Sequence, residues 1–225
     1  MIEEKSRKEL LEEPDPFLEF ITRILEFGKQ YQRQIAGAVC GVIALALVIT
    51  GVVYFNKKTE DRAAIMLGKA LAAYAAIEKD APPAALEESK KNFKDIMDKY
   101  GSTGAGKAAL IYYADTCYST KNFDEAINAY TKALDAFDDP GLDNLILNGL
   151  AYSYEEKGDY EKAASYFEMI ISDKNAAMVD QALFNLGRMD EKMGKPDQAK
   201  EAFARLVKEF PDSMYFSLAS EKIAG

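Results

Sequence analysis

The sequence predicts an all-α protein, a single transmembrane helix followed by a solenoid of paired helices, and two observations carry that prediction. One is an apolar run without a charge over residues 35–55. The other is a pattern of small and large apolar residues that recurs in three copies, each 34 residues long, between residues 107 and 213. A third observation bears on function. The chain has no histidine, which removes the commonest general base and the commonest metal ligand together.

Charge and cysteine content narrow the functions further. A net charge of -9 argues against a nucleic-acid-binding surface. Cys40 lies in the apolar run and Cys117 far downstream, so there is neither a redox CxxC nor a zinc spacing, and the two are not placed to pair. No catalytic, cofactor or metal site is expected.

Residues 1–34 read as a tail and a juxtamembrane helix. MIEEKSRKELLEE is a solvated segment by composition. After Asp15-Pro16, the residues Phe17, Ile21, Ile24, Leu25 and Gly28 recur at helical spacing, and Phe20 and Phe27 widen the apolar sector. Glu19, Arg23, Glu26 and Lys29 fall mostly on other faces. Such a helix suits a membrane interface or a docking partner.

Residues 35–55, IAGAVCGVIALALVITGVVYF, form the transmembrane helix: 21 positions, enough at about 1.5 Å each to cross a hydrocarbon core of about 30 Å. Tyr31, Arg33, Tyr54, Lys57 and Lys58 mark its edges. A cleaved signal peptide fits less well, because 34 residues precede the run and no small-x-small site follows it. Gly37 and Gly41 form a GxxxG pair that would let two such helices meet in a homodimer. Flanking charge leaves the orientation open: Arg23, Lys29 and Arg33 stand on one side, and Lys57, Lys58, Arg62 and Lys69 on the other.

Residues 56–103 read as a linking and capping helical pair. Ala64, Leu67, Gly68, Leu71, Tyr74 and Ala75 share one face, and Leu86, Phe93, Ile96, Met97 and Tyr100 share another after Pro82-Pro83. Residues 104–225 carry the repeats, at about 107–140, 144–177 and 180–213, with a capping helix over 214–225. Leu110, Ala114, Lys121, Ala126 and Tyr130 of the first copy correspond to Leu147, Ala151, Gly158, Ala163 and Phe167 of the second. The third has Leu183, Gly187, Gly194, Ala199 and Phe203. In every copy the small residue of the first helix precedes the alanine of the second by 12 positions, which lets the two helices cross closely.

These residues, with Asp159-Tyr160 after the turn glycine and Phe210-Pro211 at the end, resemble the tetratricopeptide repeat (TPR) motif over residues 107–213. The chain departs from the motif in three ways. Leucine holds the tryptophan-type position throughout, Asp190 replaces the usual aromatic, and proline ends only the last copy. A short tail, one anchor, a linking helix of the AAIMLGKALAAY type and about three TPR units resemble the YfgM-like family of bacterial inner-membrane proteins. That resemblance implies a cytoplasmic N-terminus and a periplasmic TPR domain. It also implies association with the SecYEG translocon and contact with periplasmic chaperones.

Gly101 to Lys107 nearly spells a P-loop, but Ala108 replaces the Mg²⁺-binding Ser/Thr and a helical segment replaces the preceding strand; an inter-repeat turn is expected. Cys117 occupies a packing position without a histidine partner. Asp138-Asp139 and Glu155-Glu156 read as solvated carboxylate pairs.

First helices line the concave face of a TPR solenoid. The resemblance therefore nominates Ile111, Asp115, Tyr118, Asn148, Tyr152, Glu155, Phe184, Asn185 and Arg188 as a protein-binding groove for an extended or helical peptide. Arg188, Asn148 and Asn185 are too few for the basic clamp that grips C-terminal carboxylates. The expected function is a membrane-anchored scaffold that assists translocation or chaperone hand-over, with translocon subunits, periplasmic chaperones or envelope proteins as partners. A structural component of an envelope complex and a cytosol-facing receptor are the alternatives.

Overall fold

A computed structural model describes residues 16–78, 82–137, 140–173 and 177–224, and the regular elements among them are helices. They are α1 (Pro16–Gln30), α2 (Gln32–Ala75), α3 (Pro83–Tyr100), α4 (Gly104–Ser119), α5 (Phe123–Ala136), α6 (Pro140–Glu156), α7 (Tyr160–Ser172), α8 (Val179–Lys192), α9 (Pro196–Glu209) and α10 (Phe216–Ala224). The solvated tail over 1–13 and the Asp138-Asp139 pair lie outside the described residues. Two compact units divide after Lys57.

The first unit holds α1 and the apolar part of α2. Its large apolar side chains are open: Phe17 is 66% exposed and Leu47 69%. Among the described residues, α2 is the one helix long and apolar enough to cross a membrane, with a window of mean hydropathy 2.5 that buries nothing in the protein. A signal sequence near an N-terminus has the same length and composition.

The second unit is a stack of antiparallel helix pairs. The pairs α4/α5, α6/α7 and α8/α9 each turn on a residue with left-handed backbone: Lys121 (φ 60°), Gly158 (φ 76°) and Gly194 (φ 72°). Glycine takes this conformation freely, whereas lysine pays a steric cost of about 1 kcal/mol for it. Ala114, Ala126, Ala151 and Ala163 are fully buried at the crossings. In the third pair a Cβ added to Gly187 would stand 2.6 Å from the Phe203 ring, so the second helix rests directly on the first. Between the first and second pairs, Gly149 accepts the Tyr130 ring in the same way.

Upstream, the 58–75 part of α2 packs on α3, with Tyr74 edge-on to Phe93 and Phe93 stacked on Tyr112 at 5.5 Å. The buried face of α2 differs from the expected one. Ala63 and Ala70 are buried with Leu67, Leu71 and Tyr74 partly covered, while Ala64, Gly68 and Ala75 are exposed. The larger apolar side chains set the direction, and Ala63 and Ala70, two turns apart, are covered with them.

The glycine-rich segment before α4 is a capped turn. Thr103 accepts the Gly106 N–H at 2.9 Å and donates its hydroxyl to the Tyr100 carbonyl at 2.7 Å. The Gly104 and Ala105 N–H groups, free at a helix N-terminus, both donate to the Glu60 carboxylate from α2, at 2.9 and 3.0 Å. Lys107 reaches the Ala136 carbonyl at the end of α5. The amides and lysine that would cradle a phosphate are therefore committed within the fold.

Two substitutions test this joint. Glu60→Ala is expected to lower stability by about 1 kcal/mol, and Glu60→Gln by less, in thermal melts of the full chain in detergent. A Cβ on Gly106 would stand 1.9 Å from the Tyr100 carbonyl oxygen, so Gly106→Ala is expected to cost about 2 kcal/mol or more. A neutral Gly106→Ala would show that this turn is not built as described.

Candidate functional site

A helical period of 3.6 puts positions i, i+4 and i+7 on one face. Asp115 and Tyr118 of α4, Asn148, Tyr152 and Glu155 of α6, and Asn185 and Arg188 of α8 follow that spacing on the first helix of each pair. Side chains from α6 and α8 meet in one hydrogen-bonded network. The Tyr152 hydroxyl accepts N–H bonds from Gln181 (2.8 Å) and Asn185 (2.9 Å). Arg188 donates to the Asn185 amide oxygen at 2.7 Å and to Glu155 at 2.8 Å, and Lys192 donates to the same Glu155 oxygen. The Glu155 side chain is only 9% exposed, so these two cations offset the cost of removing its charge from water.

Aromatic side chains frame the network. Tyr152 stands edge-on to Phe167, Tyr118 edge-on to Phe123, and Phe184 stacks on Tyr215 at 5.0 Å. Burial, with the Glu156 and Glu155 carboxylates, holds the Tyr118 phenol above its ordinary value; burial and Tyr152 do the same for Tyr215. Tyr118 and Tyr215 are therefore neutral hydrogen-bonding groups at physiological pH.

The structure sorts the nine nominated residues unevenly. Tyr152, Glu155, Asn185 and Arg188 come together. Tyr118 and Phe184 flank them as half-buried rings, and Asn148 is half-buried beside them in sequence register. Asp115 turns inward to accept the Tyr130 hydroxyl. Ile111 is 6% exposed and belongs to the first core cluster, because its position on α4 faces the neighbouring helices and not an open surface. Glu155 also corrects the reading of Glu155-Glu156 as a solvated pair: Glu156 is exposed and Glu155 is enclosed and ion-paired. Gln181, Lys192 and Tyr215 join the site unforeseen. Gln181 and Lys192 could have been found one turn either side of Asn185 and Arg188, whereas Tyr215 lies in the loop before α10 and carried no periodic signal.

Cys117 is fully buried, and burial, with Glu125 next, pushes its thiol up to about 12. A protonated, enclosed thiol packs and does not attack.

A sequence model of the tetratricopeptide repeat-like domain family matches residues 26–223. A TPR repeat-containing protein of Treponema pallidum is 26% identical over 109 residues, which cover 48% of this chain and 46% of that protein. The chain thus spans about half the length of the curated relative it matches. Among solved structures, a tetratricopeptide repeat protein of Parabacteroides merdae superposes with a TM-score of 0.59 at 17% identity, covering 74% of this chain and 59% of that one. MamA of Desulfovibrio magneticus gives 0.56 at 13% identity, covering 73% and 92%. PilF of Pseudomonas aeruginosa gives 0.54 at 20% identity, covering 75% and 68%. At these identities the likeness is one of fold.

The site yields one pH-dependent prediction. Burial holds the Asp115 carboxyl above its usual range, with the Tyr130 hydroxyl working against the shift. Ionised Asp115 therefore opposes folding, fully above its folded pKa and not at all below its unfolded value of about 3.9. Asp115→Asn keeps an acceptor for Tyr130 without the charge. It is expected to melt higher than the parent at pH 7 and to lose that advantage below about pH 3.9, by circular dichroism on the full chain in detergent. An advantage that persists or grows in acid would contradict this assignment.

Proposed function

The chain belongs to the tetratricopeptide repeat-like domain family, and from that premise we propose that it is a membrane-anchored scaffold whose groove holds a segment of a partner protein. TPR domains are non-enzymatic scaffolds for protein–protein interaction. The observation that carries the reading is the hydroxyl of Tyr152. It accepts two N–H bonds, from Gln181 and Asn185, and its own proton has no acceptor among the described residues. A phenol held in that state offers a donor to a peptide carbonyl, and the Tyr118 and Phe184 rings supply apolar surface on either side.

Anchoring is supported by the open apolar side chains over 35–55 and by the length of that run. The GxxxG pair Gly37/Gly41, where a Cβ would meet nothing within 4 Å, leaves a smooth strip for a second copy. The periplasmic side, the inner membrane and a role in translocation or chaperone hand-over rest on the resemblance to the YfgM-like family.

The test places a photo-crosslinking amino acid at Tyr118 or Tyr152 in cells, together with a reporter fused after the last residue. Translocon subunits or periplasmic chaperones in the adducts, with a periplasmic reporter, are the expected result. Envelope-assembly components would instead favour a structural role in an envelope complex. A cytosolic reporter would sink both and favour a cytosol-facing receptor.

A further inference from the structure

The second and third repeats differ at three positions that face one spot. In the second, Tyr154 of α6 stacks on Tyr166 of α7 with ring centroids 5.6 Å apart, and the Lys162 ammonium lies 4.9 Å from the Tyr154 ring centre. The third repeat carries Asp190, Ala202 and Gln198 at the corresponding positions, 36 residues on. Two rings and a basic side chain are thus missing. A cleft of about 810 Å³ stands in their place, bounded by α7, α8 and α9.

Asp190 lines this cleft. It is 7% exposed, and its carboxylate has no hydrogen bond or ion pair among the described residues. Burial raises its pKa, Lys195 pulls it back and Glu168 adds to the rise. A buried carboxylate without a partner is costly, and a cation brought to it would relieve the cost. Leu186 and Met193 give the cleft apolar walls, and Glu161, Glu168 and Glu201 give it further acidic groups. Two cations also line it: Arg205 is already paired with Glu209 at 3.3 Å, and Lys195 forms no ion pair with Asp190 among the described residues.

We propose that this cleft receives an arginine or lysine side chain presented by a partner protein, with the charged head on Asp190 and the aliphatic stem along Leu186 and Met193. In the second repeat the equivalent spot already holds a cation, the ammonium of the chain's own Lys162, which lies over the Tyr154 ring and pairs with Asp159 at 3.1 Å. The volume exceeds that of one basic side chain and lies in the range of ligand pockets. Residues flanking the cation must fill the remainder, which a protein segment provides and a free amine does not. Leu183, Leu186 and Asp190 lie on the side of α8 opposite Arg188, so this site is separate from the groove and does not depend on it.

Random heptapeptides displayed on phage, panned against the full chain in lipid nanodiscs, would test the assignment. The expected result is enrichment of one fixed arginine or lysine beside apolar residues. For the strongest synthetic peptide, replacing that arginine with neutral citrulline, or that lysine with norleucine, is expected to weaken binding at least tenfold. Asp190→Asn should cause a similar loss. The double variant Asp190→Tyr/Ala202→Tyr, which restores the aromatic pair of the second repeat, should abolish binding while keeping the helical circular dichroism of the parent. Peptides without a basic position, or peptides that bind Asp190→Asn as well as the parent, would overturn the proposal. So would displacement of the peptide by agmatine alone at a concentration near the peptide's Kd, since that result would assign the cleft to a small amine.

Discussion

The distance at which two helices can cross governs this molecule. Where a side chain is absent, an aromatic ring takes the space: Phe203 lies on Gly187 and Tyr130 lies on Gly149. Each ring then fixes something beyond the core. Phe203 meets Phe184, which stacks on Tyr215, so a packing constraint inside the third pair extends to the groove and the approach to α10. Tyr130 carries its hydroxyl to Asp115 and draws that carboxylate off the open face. The groove is the far side of the helix crossings, and its composition follows from what those crossings leave free.

Polar groups at the helix ends secure the stack. The N-terminus of α4 is a cluster of N–H donors that needs an anion, and Glu60 brings one from α2. This is the chemistry that a phosphate-binding loop uses, turned inward to join two elements. A glycine-rich segment before a helix thus has two outcomes, and the supply of an internal carboxylate selects between them here.

Helix α8 serves two opposite surfaces with different economies. On one, Arg188 and Lys192 share the Glu155 carboxylate and Asn185 accepts from Arg188, so every charge there has a partner. On the other, Asp190 stands where the preceding repeat has a tyrosine, and its carboxylate has no hydrogen bond or ion pair among the described residues. The repeat architecture makes the contrast readable, because each copy supplies the reference for the next.

Much of the fold was legible in the sequence. The run without charge at 35–55, the 12-residue spacing of small residues and the turn positions at Lys121, Gly158 and Gly194 each follow from local periodicity, which a helix cannot disguise. The family followed from the same residues. The candidate site was legible only in outline. Periodicity names the face of a helix but not how deeply its neighbours cover it, so Ile111 was read as open although it is core, and Glu155 as solvated although it is enclosed. Tyr215 and Glu60 have their partners on other elements, and sequence distance carries no record of such contacts. The meaning of Asp190 changed most: along the chain it is one departure from a motif, and only the packing of α7, α8 and α9 turns that missing ring into a cleft with a buried charge lining it. Helix identity is set by residues within a turn or two of one another, whereas burial and charge pairing are set by residues brought together from distant parts of the chain.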